Sequence, residues 1–417
     1  MKRHAAIRVS TLLLWAVAGC GKSSGGSRAD AATEARADTT PARDAGVDRS
    51  DAVTGDADAA ADVGATAFGI FSGLTALAMD GYADKVVGFA AGHAARSSGV
   101  VNPFVPLAGE DSSRAIAVSA DGTIVAGTSM TGAASVAVLW TDPPGTGQAL
   151  GFARAGDTVS AAVALSDDGS TVVATSGGPL TSLFAMSAFV WKDGDTTVIP
   201  PLPGDTGIEP VVMSADGSTV AGISWPNETG RVFVWTAAAG TIEVPLTLDA
   251  PTTPAVTALS ADGSVLVGSI YSKPATGVSQ RVFRWTRAMG TTYLTPTGAY
   301  ATAGGVTADG KLIAGTIGQA LFLSTAAGFV TTPFPPLVRN VVNLILDRGG
   351  SMLLGSSGDL LFDGNQLFAW TISSKGFTPL TLPYEPSIET AIPLGIAVDG
   401  RIFVATGGET AREFIRP

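Results

Sequence analysis

The sequence contains very little cysteine and histidine, and both absences narrow the chemistry it can perform. Its 417 residues include one cysteine and two histidines. The cysteine, Cys20, has no partner for a disulfide within the chain. His93 is the only histidine after the first twenty residues, and the chain from Ala65 onward has no Gly-x-Ser-x-Gly elbow. A zinc site or a Ser-His-Asp triad would therefore lack residues it needs, and we predict no metal, no cofactor and no nucleophilic catalysis.

Charged residues and long apolar runs are also scarce. Charged side chains make up 15% of the chain and the net charge is −11, and the scattered lysines and arginines argue against nucleic acid as a partner. The densest basic group, Arg281, Arg284 and Arg287, alternates with apolar residues, and we interpret it as decoration of a strand. No apolar run reaches the roughly 20 residues that a membrane-spanning helix needs.

The N-terminus has the pattern of an exported protein. A basic head at Met1-Lys-Arg-His precedes a short apolar run, Leu12–Ala18, and small residues lead to Cys20, as in a secretory signal. The tetrapeptide Val17-Ala-Gly-Cys20 resembles the lipobox of bacterial lipoproteins. The resemblance implies a signal peptide over residues 1–19, lipidation of Cys20 and an outer-membrane protein that faces the periplasm or the cell surface. The alternative is an ordinary signal with a chance cysteine at the cleavage site.

Two different kinds of sequence follow the signal. Residues 20–64 are rich in Ala, Asp, Arg, Gly, Ser and Thr and almost free of larger apolar side chains. Such a segment cannot bury enough apolar surface to offset its ordering entropy, so we expect a disordered tether. Residues 65–417 are strongly apolar and long enough to bury a large core. We predict one repeat domain over this range.

An eleven-residue pattern recurs through the whole domain. The copy at Ser214–Ser224 reads SADGSTVAGIS, and a degenerate copy puts Gly349 at the Asp position. Successive copies lie about 40 to 50 residues apart, which is the period of a propeller blade. The Asp of the pattern falls at Asp80, Asp121, Asp168, Asp216, Asp262, Asp309 and Asp399.

Each period contains four short β-like runs, so we predict an all-β fold of four-stranded antiparallel blades. Asp-Gly joins the first two runs and is a strong hairpin signal. Eight copies predict eight blades, with seven as the alternative. The last unit is one strand short, and we expect Ala67–Ser72 to complete it and close the ring.

The repeat resembles the HAF family of extracellular repeats, which is named for the His-Ala-Phe that begins its aromatic strand. The aromatic strands here begin Ser187-Ala-Phe189, Arg231-Val-Phe233 and Arg281-Val-Phe283, so the histidine of the family is missing. The resemblance covers nearly all of the domain. It implies an extracellular repeat protein and no particular activity.

The repeated aspartates are interpreted as turn formers, because each turn offers too few carboxylates for a calcium loop. A glycosidase that pairs two carboxylates in the central funnel stays open as an alternative, because residues distant in sequence can meet there. The candidates for such a pair are Glu110, Asp111, Asp205, Glu209, Glu385 and Glu389.

We therefore predict a lipid-anchored, monomeric, non-catalytic propeller that binds a protein or a glycan. The alternatives are a polysaccharide hydrolase or lyase and a purely structural surface protein. Binding is expected on the face of variable loops, opposite the Asp-Gly turns. The candidate contact residues are Trp225, Tyr271, Tyr300 and Tyr384. The alternative reading of these aromatics is that they pack the loops onto the blades.

Overall fold

A computed structural model describes most of the predicted domain. The described residues are 66–72, 74–81, 85–98, 100–141, 145–178, 181, 185–226, 229–247, 252–272, 279–334, 341–357, 367–373, 376–380, 391–397, 401–406 and 410–415. Within these ranges the secondary structure is almost wholly β-strand and includes no α-helix. None of the described segments is a helix of the length and apolarity that crossing a membrane requires.

The strands form eight four-stranded antiparallel blades in chain order, and one parallel pair, Ser135 opposite Val159, also joins blade 2 to blade 3. Blade 1 contains β2 (Thr75–Met79), β3 (Val86–Ala90), β4 (His93–Ser97) and β5 (Val101–Pro103). Blade 2 contains β6 (Ser112–Val118), β7 (Ile124–Thr131), β8 (Ala134–Thr141) and β9 (Gln148–Gly151). Blade 3 contains β10 (Val159–Leu165), β11 (Thr171–Gly177), β12 (Ser187–Lys192) and β13 (Asp195–Ile199). Blade 4 contains β14 (Gly207–Met213), β15 (Thr219–Trp225), β16 (Arg231–Thr236) and β17 (Gly240–Glu243).

The second half of the chain continues the same order. Blade 5 contains β18 (Thr252–Leu259), β19 (Val265–Ser272), β20 (Ser279–Thr286) and β21 (Gly290–Tyr293). Blade 6 contains β22 (Ala301–Val306), β23 (Ile313–Ile317), β24 (Ala320–Thr325) and β25 (Gly328–Pro333). Blade 7 contains β26 (Val341–Leu346), β27 (Met352–Ser357), β28 (Leu367–Ser373) and β29 (Gly376–Leu380). Blade 8 contains β30 (Ala391–Ile396), β31 (Ile402–Thr406), β32 (Thr410–Ile415) and β1 (Thr66–Ser72).

The blades close into a ring. The first strand of every blade contacts the first strands of both neighbouring blades, and β2 contacts β30 across the closure. The strand β1 pairs antiparallel with β32, from Thr66 opposite Ile415 to Ser72 opposite Thr410. The predicted eight-bladed propeller is therefore confirmed, and so is the expectation that a strand from the start of the domain completes the last blade.

A glycine in the second strand allows the first strand of most blades to bulge. In blade 4 the register of β14 shifts between Pro210 and Val212, and the carbonyl oxygen of Glu209 points at Gly222. A Cβ on Gly222 would lie 2.0 Å from that oxygen, which no side chain tolerates. In blade 4 the close approach of two backbones therefore requires glycine, whereas blades 3 and 8 make the same shift opposite Ala174 and Val404.

The core consists of apolar layers between neighbouring blades. The two faces of β20 illustrate this, because Phe283 packs in a cluster with Val234 of blade 4 while Val282 packs with Phe322 of blade 6. Both faces of the strand are buried, which explains why apolar residues occupy successive positions instead of alternating ones. The disc has a turn face, which carries the links between first and second and between third and fourth strands, and an opposite loop face.

Candidate functional site

The polar groups of each Asp-Gly turn on the turn face hydrogen-bond to one another. The Ser214 hydroxyl donates to Asp216 at 2.6 Å and accepts from the Thr219 amide at 3.0 Å, and the Ser218 amide donates to Asp216 at 2.9 Å. Gly217 has a φ of 70° and donates its amide to the Ser214 carbonyl at 2.9 Å. Five residues thus separate β14 from β15, so the turn is longer than a two-residue hairpin. The same arrangement holds around Asp121, Asp168, Asp262 and Asp309.

These hydrogen bonds hold the turn carboxylates in the charged form. The Thr307 hydroxyl and the Lys311 amide lower the pKa of Asp309 to about 2. The Ser119 hydroxyl lowers the pKa of Asp121 and the Ser166 hydroxyl that of Asp168. A carboxylate with its lone pairs committed in this way is a turn former and is poorly suited to be a general acid.

Blades 1 and 7 lack the Ser and Asp pair but form an equivalent turn with a single carboxylate. In blade 1 the Asp80 amide donates to the Lys85 carbonyl and Asp80 accepts from the Lys85 amide at 3.3 Å, so Asp80 stands where other blades have Ser or Thr. The prediction that Asp80 occupies the Asp position of the repeat is therefore wrong by two residues. In blade 7 Asp347 does the same, accepting from the Met352 amide at 2.6 Å. One carboxylate therefore replaces the Ser and Asp pair.

The turns also join each blade to the next. A Cβ on Gly263 would lie 2.4 Å from the Cβ of Thr219 in the preceding blade, so this glycine is needed for packing as well as for its positive φ. A chain of backbone hydrogen bonds links seven successive blades in the same place. The bonds run from Gly81 to Ala120, Ala120 to Asp167, Asp167 to Ala215, Asp216 to Ala261, Ala261 to Ala308 and Ala308 to Arg348, with lengths of 2.8 to 3.3 Å.

Two charged side chains meet across the axis on the turn face. Arg348 of blade 7 donates two hydrogen bonds to Asp167 of blade 3, one of them 2.6 Å long. Blades 3 and 7 are four apart in a ring of eight and hence opposite, so the pair spans the mouth of the central channel. We call it the axial bridge. Its two side chains are 62% and 33% exposed, and it occupies a turn position where Ala or Gly stands in the other described blades.

The first strands contribute little charge to the channel. The only charged residues in these eight strands are Arg114 and Glu209. Arg114 stacks over the ring of Phe89 at 4.9 Å. A glycosidase needs two carboxyl groups within about 5 to 10 Å. Among the described residues, these strands supply a single carboxylate, and Asp167 at the mouth is already paired.

The other carboxylate candidates in the described ranges lie in structural contacts away from the axis. Glu110 is fully buried and accepts hydrogen bonds from Ser113 at 2.5 Å, Ser129 at 2.8 Å and the Leu107 amide at 3.2 Å. His93 lies 3.1 Å from the same carboxylate. Burial raises the pKa of Glu110, and these hydrogen bonds outweigh that effect and lower it. Glu110 and His93 therefore fasten the link between blades 1 and 2.

Asp205 and Asp111 also accept hydrogen bonds from groups within the protein. Asp205 is buried and forms a bidentate pair with Arg231, with contacts of 2.6 and 3.2 Å. Asp111 accepts a hydrogen bond of 2.5 Å from the Gly132 amide. Glu385 and Glu389 lie outside the described residues. No group of three His, Cys, Asp or Glu side chains suited to a metal ion occurs in the ranges that the structure covers.

The loop face brings two of the predicted contact residues together. Tyr271 at the end of β19 pairs with Gln280 of β20, and Gln280 bridges to Tyr300 just before β22. Tyr271 is 39% exposed and Tyr300 is 61% exposed. Two tyrosines and an amide therefore lie side by side where blades 5 and 6 meet, a proximity that the sequence alone does not show.

Trp225 requires a correction. It is only 7% exposed and belongs to the core cluster between blades 4 and 5, because β15 continues through this residue instead of ending before it. The alternative reading, that the aromatic packs the blade, holds for Trp225. Tyr384, Asp399 and Cys20 lie outside the described residues.

The turn face carries two grooves that the sequence analysis did not assign. One lies between blades 3 and 4 and the other between blades 5 and 6, and Arg287 lines both. Arg284 and Lys311 line the second groove. The signal in the sequence was the basic group Arg281, Arg284 and Arg287, which we interpreted as strand decoration.

Comparison with known proteins supports the fold. No family model and no curated protein matches this sequence. The propeller of Dos1 is similar with a TM-score of 0.52 at 11% identity, covering 84% of this chain and 94% of that chain. An oligogalacturonate lyase in complex with manganese is similar with a TM-score of 0.51 at 13% identity, covering 83% and 90%. A prolyl endopeptidase has a TM-score of 0.52 at 13% identity over 82% of this chain and 54% of its own, so this chain spans about half of that protein. At such identities the likeness shows one thing, that this chain is a β-propeller.

Proposed function

We propose that this protein is a lipid-anchored, extracytoplasmic propeller that binds a protein or a glycan and performs no chemistry. The observation that carries the proposal is that the candidate carboxylates are engaged in hydrogen bonds and ion pairs within the protein. In the described ranges Glu110, Asp205 and Asp167 are each held by protein partners, and the turn aspartates are held by their neighbours. A general acid and base need a free carboxyl pair or a positioned histidine, and these candidate carboxylates and His93 are instead held in contacts that support the fold.

The loop face supports the binding role. Tyr271 and Tyr300 expose rings beside Gln280 on a rigid scaffold. Tyrosine combines a flat apolar surface with a hydroxyl and loses little side-chain entropy on binding. Such a surface suits the face of a sugar ring or a hydrophobic protein side chain. We place the principal contact surface at these three residues, with Tyr384 as a further candidate.

Two measurements test this function. A glycan array probed with the full-length protein in detergent should give selective binding, and Tyr271→Ala with Tyr300→Ala should remove it. Turnover of a panel of polysaccharides should be absent. Release of unsaturated or reducing ends by wild type would instead establish the hydrolase or lyase, and absence of any ligand would favour a purely structural surface protein.

We also propose attachment to the outer membrane through lipidated Cys20. The lipobox and the resemblance to extracellular HAF repeats support this address. Cys20→Ala should abolish incorporation of a palmitate analogue and release the protein from the membrane fraction. Labelling of the variant at the wild-type level would contradict the proposal without affecting the binding role.

A further inference from the structure

Tyr271, Gln280 and Tyr300 form one row across three neighbouring segments of chain at the loop-face end of blade 5. Tyr271 of β19 lies directly opposite Gln280 of β20, and Gln280 forms a parallel bridge to Tyr300. Residues that pair directly across strands project to the same side of a sheet. Neighbouring strands lie about 4.8 Å apart, so three side chains stand on one side at regular steps. We call this arrangement the tyrosine row.

The row is exposed because blade 5 differs from blade 4 at two positions. Trp225 and Tyr271 both follow the second-strand glycine by three residues, and Gly230 and Gln280 both precede the third-strand Arg-Val-Phe. In blade 4 the tryptophan ring covers the glycine, where a Cβ would lie 2.9 Å from a ring carbon, and Trp225 is 7% exposed. In blade 5 a glutamine replaces that glycine and Tyr271 is 39% exposed. One repeat position is therefore core in blade 4 and surface in blade 5.

The polar ends of the row are available to a ligand. The hydroxyl of the nearby Tyr293 is engaged, because it donates to the Thr247 carbonyl at 3.1 Å and accepts from the Thr247 amide at 2.9 Å. The hydroxyls of Tyr271 and Tyr300 and the side-chain amide of Gln280 form no hydrogen bond with another described residue. A carboxamide both donates and accepts hydrogen bonds, as the hydroxyls of a sugar do.

The backbone under the row is held in place by both adjoining blades. The Gln280 amide donates to the Ala299 carbonyl at 2.8 Å, and the Gly318 amide of blade 6 donates to the Tyr300 carbonyl at 2.8 Å. The turn between β23 and β24 contains only two residues, so it is short beside the exposed ring of Tyr300. A surface fixed in this way loses little entropy when it binds.

The row carries no charge at neutral pH. The nearest charged side chain in the described residues, Arg281, projects to the opposite side of β20, where it stacks over Tyr293 at 3.8 Å. The two links of blade 5 outside the described residues contain one charge of each sign, Asp249 and Lys273. The row and its neighbouring links therefore favour a ligand without net charge.

The row also lacks the aliphatic surface of a protein interface. No exposed Leu, Ile, Val or Met accompanies the two rings among the described residues of this end of blades 5 and 6, since Met289 and Val330 are exposed toward the turn face. Protein interfaces have an apolar core. Flat rings with free hydroxyls and an amide match instead a ligand that presents ring faces and many hydroxyls.

Building on the proposed function, we infer that the ligand of the tyrosine row is an uncharged, extended glycan. A sugar ring stacks on each tyrosine, and hydroxyls of the sugar between them bond to Gln280. In an extended β-1,4-linked chain each pyranose advances by a length similar to the spacing between neighbouring strands. Three consecutive sugars therefore fit the three side chains.

Calorimetry on the full-length protein, in a detergent without a sugar headgroup, tests the inference. The probes are β-1,4-linked hexamers of glucose, mannose, xylose and a hexuronic acid. At least one neutral hexamer should bind, with an affinity that does not change between low and moderate salt. The hexuronate should bind about tenfold more weakly or not at all, because its carboxylates find no counter-charge. The trimer of the bound sugar should match the hexamer, and the dimer should bind more weakly.

Single changes in the row separate stacking from hydrogen bonding. Tyr271→Ala and Tyr300→Ala should each lower the affinity about tenfold, because each removes one stacking ring. Tyr271→Phe and Tyr300→Phe keep the rings and should lower it only a few-fold, by about the value of one hydrogen bond. Phe152→Ala, which removes a ring of blade 2 that is 38% exposed, should bind like wild type, and so should Lys273→Ala.

The outcomes distinguish this inference from the proposed function. If every neutral hexamer fails while a charged glycan or a protein binds and is lost in the tyrosine variants, the inference is wrong and the binding role stands. If a neutral hexamer binds equally well to Tyr271→Ala and Tyr300→Ala, the row is not its site. If no glycan and no protein binds at all, both the inference and the proposed function fall.

Discussion

The turn face and the loop face of the disc follow opposite rules. On the turn face five blades repeat the same Ser or Thr, Asp and Gly with the same hydrogen bonds, and each of these turns also contacts its neighbour. On the loop face the links differ in length and content. A repeated turn residue serves two blades at once and is therefore constrained, whereas a residue that departs from the repeat is available for one specific task. Residues that repeat from blade to blade therefore hold neighbouring blades together, whereas residues that differ from the repeat are available for binding.

The largest effect should come from opening the ring. Deletion of Thr66–Ser72 removes β1, which leaves β32 as an unpaired edge and blade 8 with three strands. Losing a whole strand should cost several kcal/mol, a large part of the roughly 5 to 15 kcal/mol that stabilises a typical domain, and the open edge should promote aggregation. Thermal melting and light scattering measure both.

The matched control is a deletion of seven residues at 40–46, which should leave melting unchanged. An unchanged melting temperature after loss of Thr66–Ser72 would refute the closure by β1.

A smaller effect separates the interlocking turns from ordinary ones. Gly263 and Gly240 have nearly the same φ, 69° and 67°, but a Cβ on Gly263 would lie 2.4 Å from the Cβ of Thr219 in the preceding blade, while one on Gly240 meets nothing within 4 Å. Gly240→Ala should cost about 1 kcal/mol of backbone strain, and Gly263→Ala a further 1 to 3 kcal/mol or so of overpacking. Denaturant titration of both variants gives the comparison. Equal losses would mean that the turns do not lock the blades.

Acid should weaken the repeated turns selectively. Hydrogen bonds lower the pKa of Asp309 to about 2, below the roughly 3.9 of an unfolded chain. Its contribution is therefore complete above about pH 4 and is lost as the pH falls toward 2. Asp309→Asn should flatten the decline of melting temperature between pH 5 and 2. Asp195→Asn, an exposed control in β13, should not, and the same acid slope in both variants would contradict this role.

The smallest effect concerns the axial bridge. Because Arg348 is 62% exposed, the pair should contribute only about 0.2 to 1 kcal/mol. Asp167→Arg and Arg348→Asp should each destabilise through like-charge contact, and the exchanged pair should recover most of the loss at low salt. If the exchanged pair is no more stable than the sum of the single changes, the two blades do not meet across the axis.

The sequence predicts the fold well because the information is local and repeated. Asp-Gly turns, four short apolar runs and a fixed period are enough to identify the blades and even the closing strand. The site is harder to predict, because its contacts join residues far apart in the chain. Arg348 and Asp167 are separated by 181 positions, and nothing in either turn alone indicates the other.

The residues whose positions were predicted wrongly from the sequence show the same limit. Asp80 carries the right residue type for a marker but takes the place of Ser, which only its bonds to Lys85 reveal. Trp225 follows a strand in the sequence but remains part of β15, so it packs inside.

The central claim is that repeated residues hold the ring together while departures from the repeat bind. It is tested most directly by measuring melting temperature and glycan binding side by side for two double variants. Tyr271→Ala with Tyr300→Ala should lose the ligand and melt within about 2 °C of wild type, because both rings are exposed. Asp216→Ala with Asp262→Ala should melt several degrees lower, because each change removes a hydrogen bond from a buried serine hydroxyl that is worth about 1 kcal/mol. This variant should still bind when folded. Loss of the ligand by the turn variant at full stability, with binding kept by the tyrosine variant, would contradict the account.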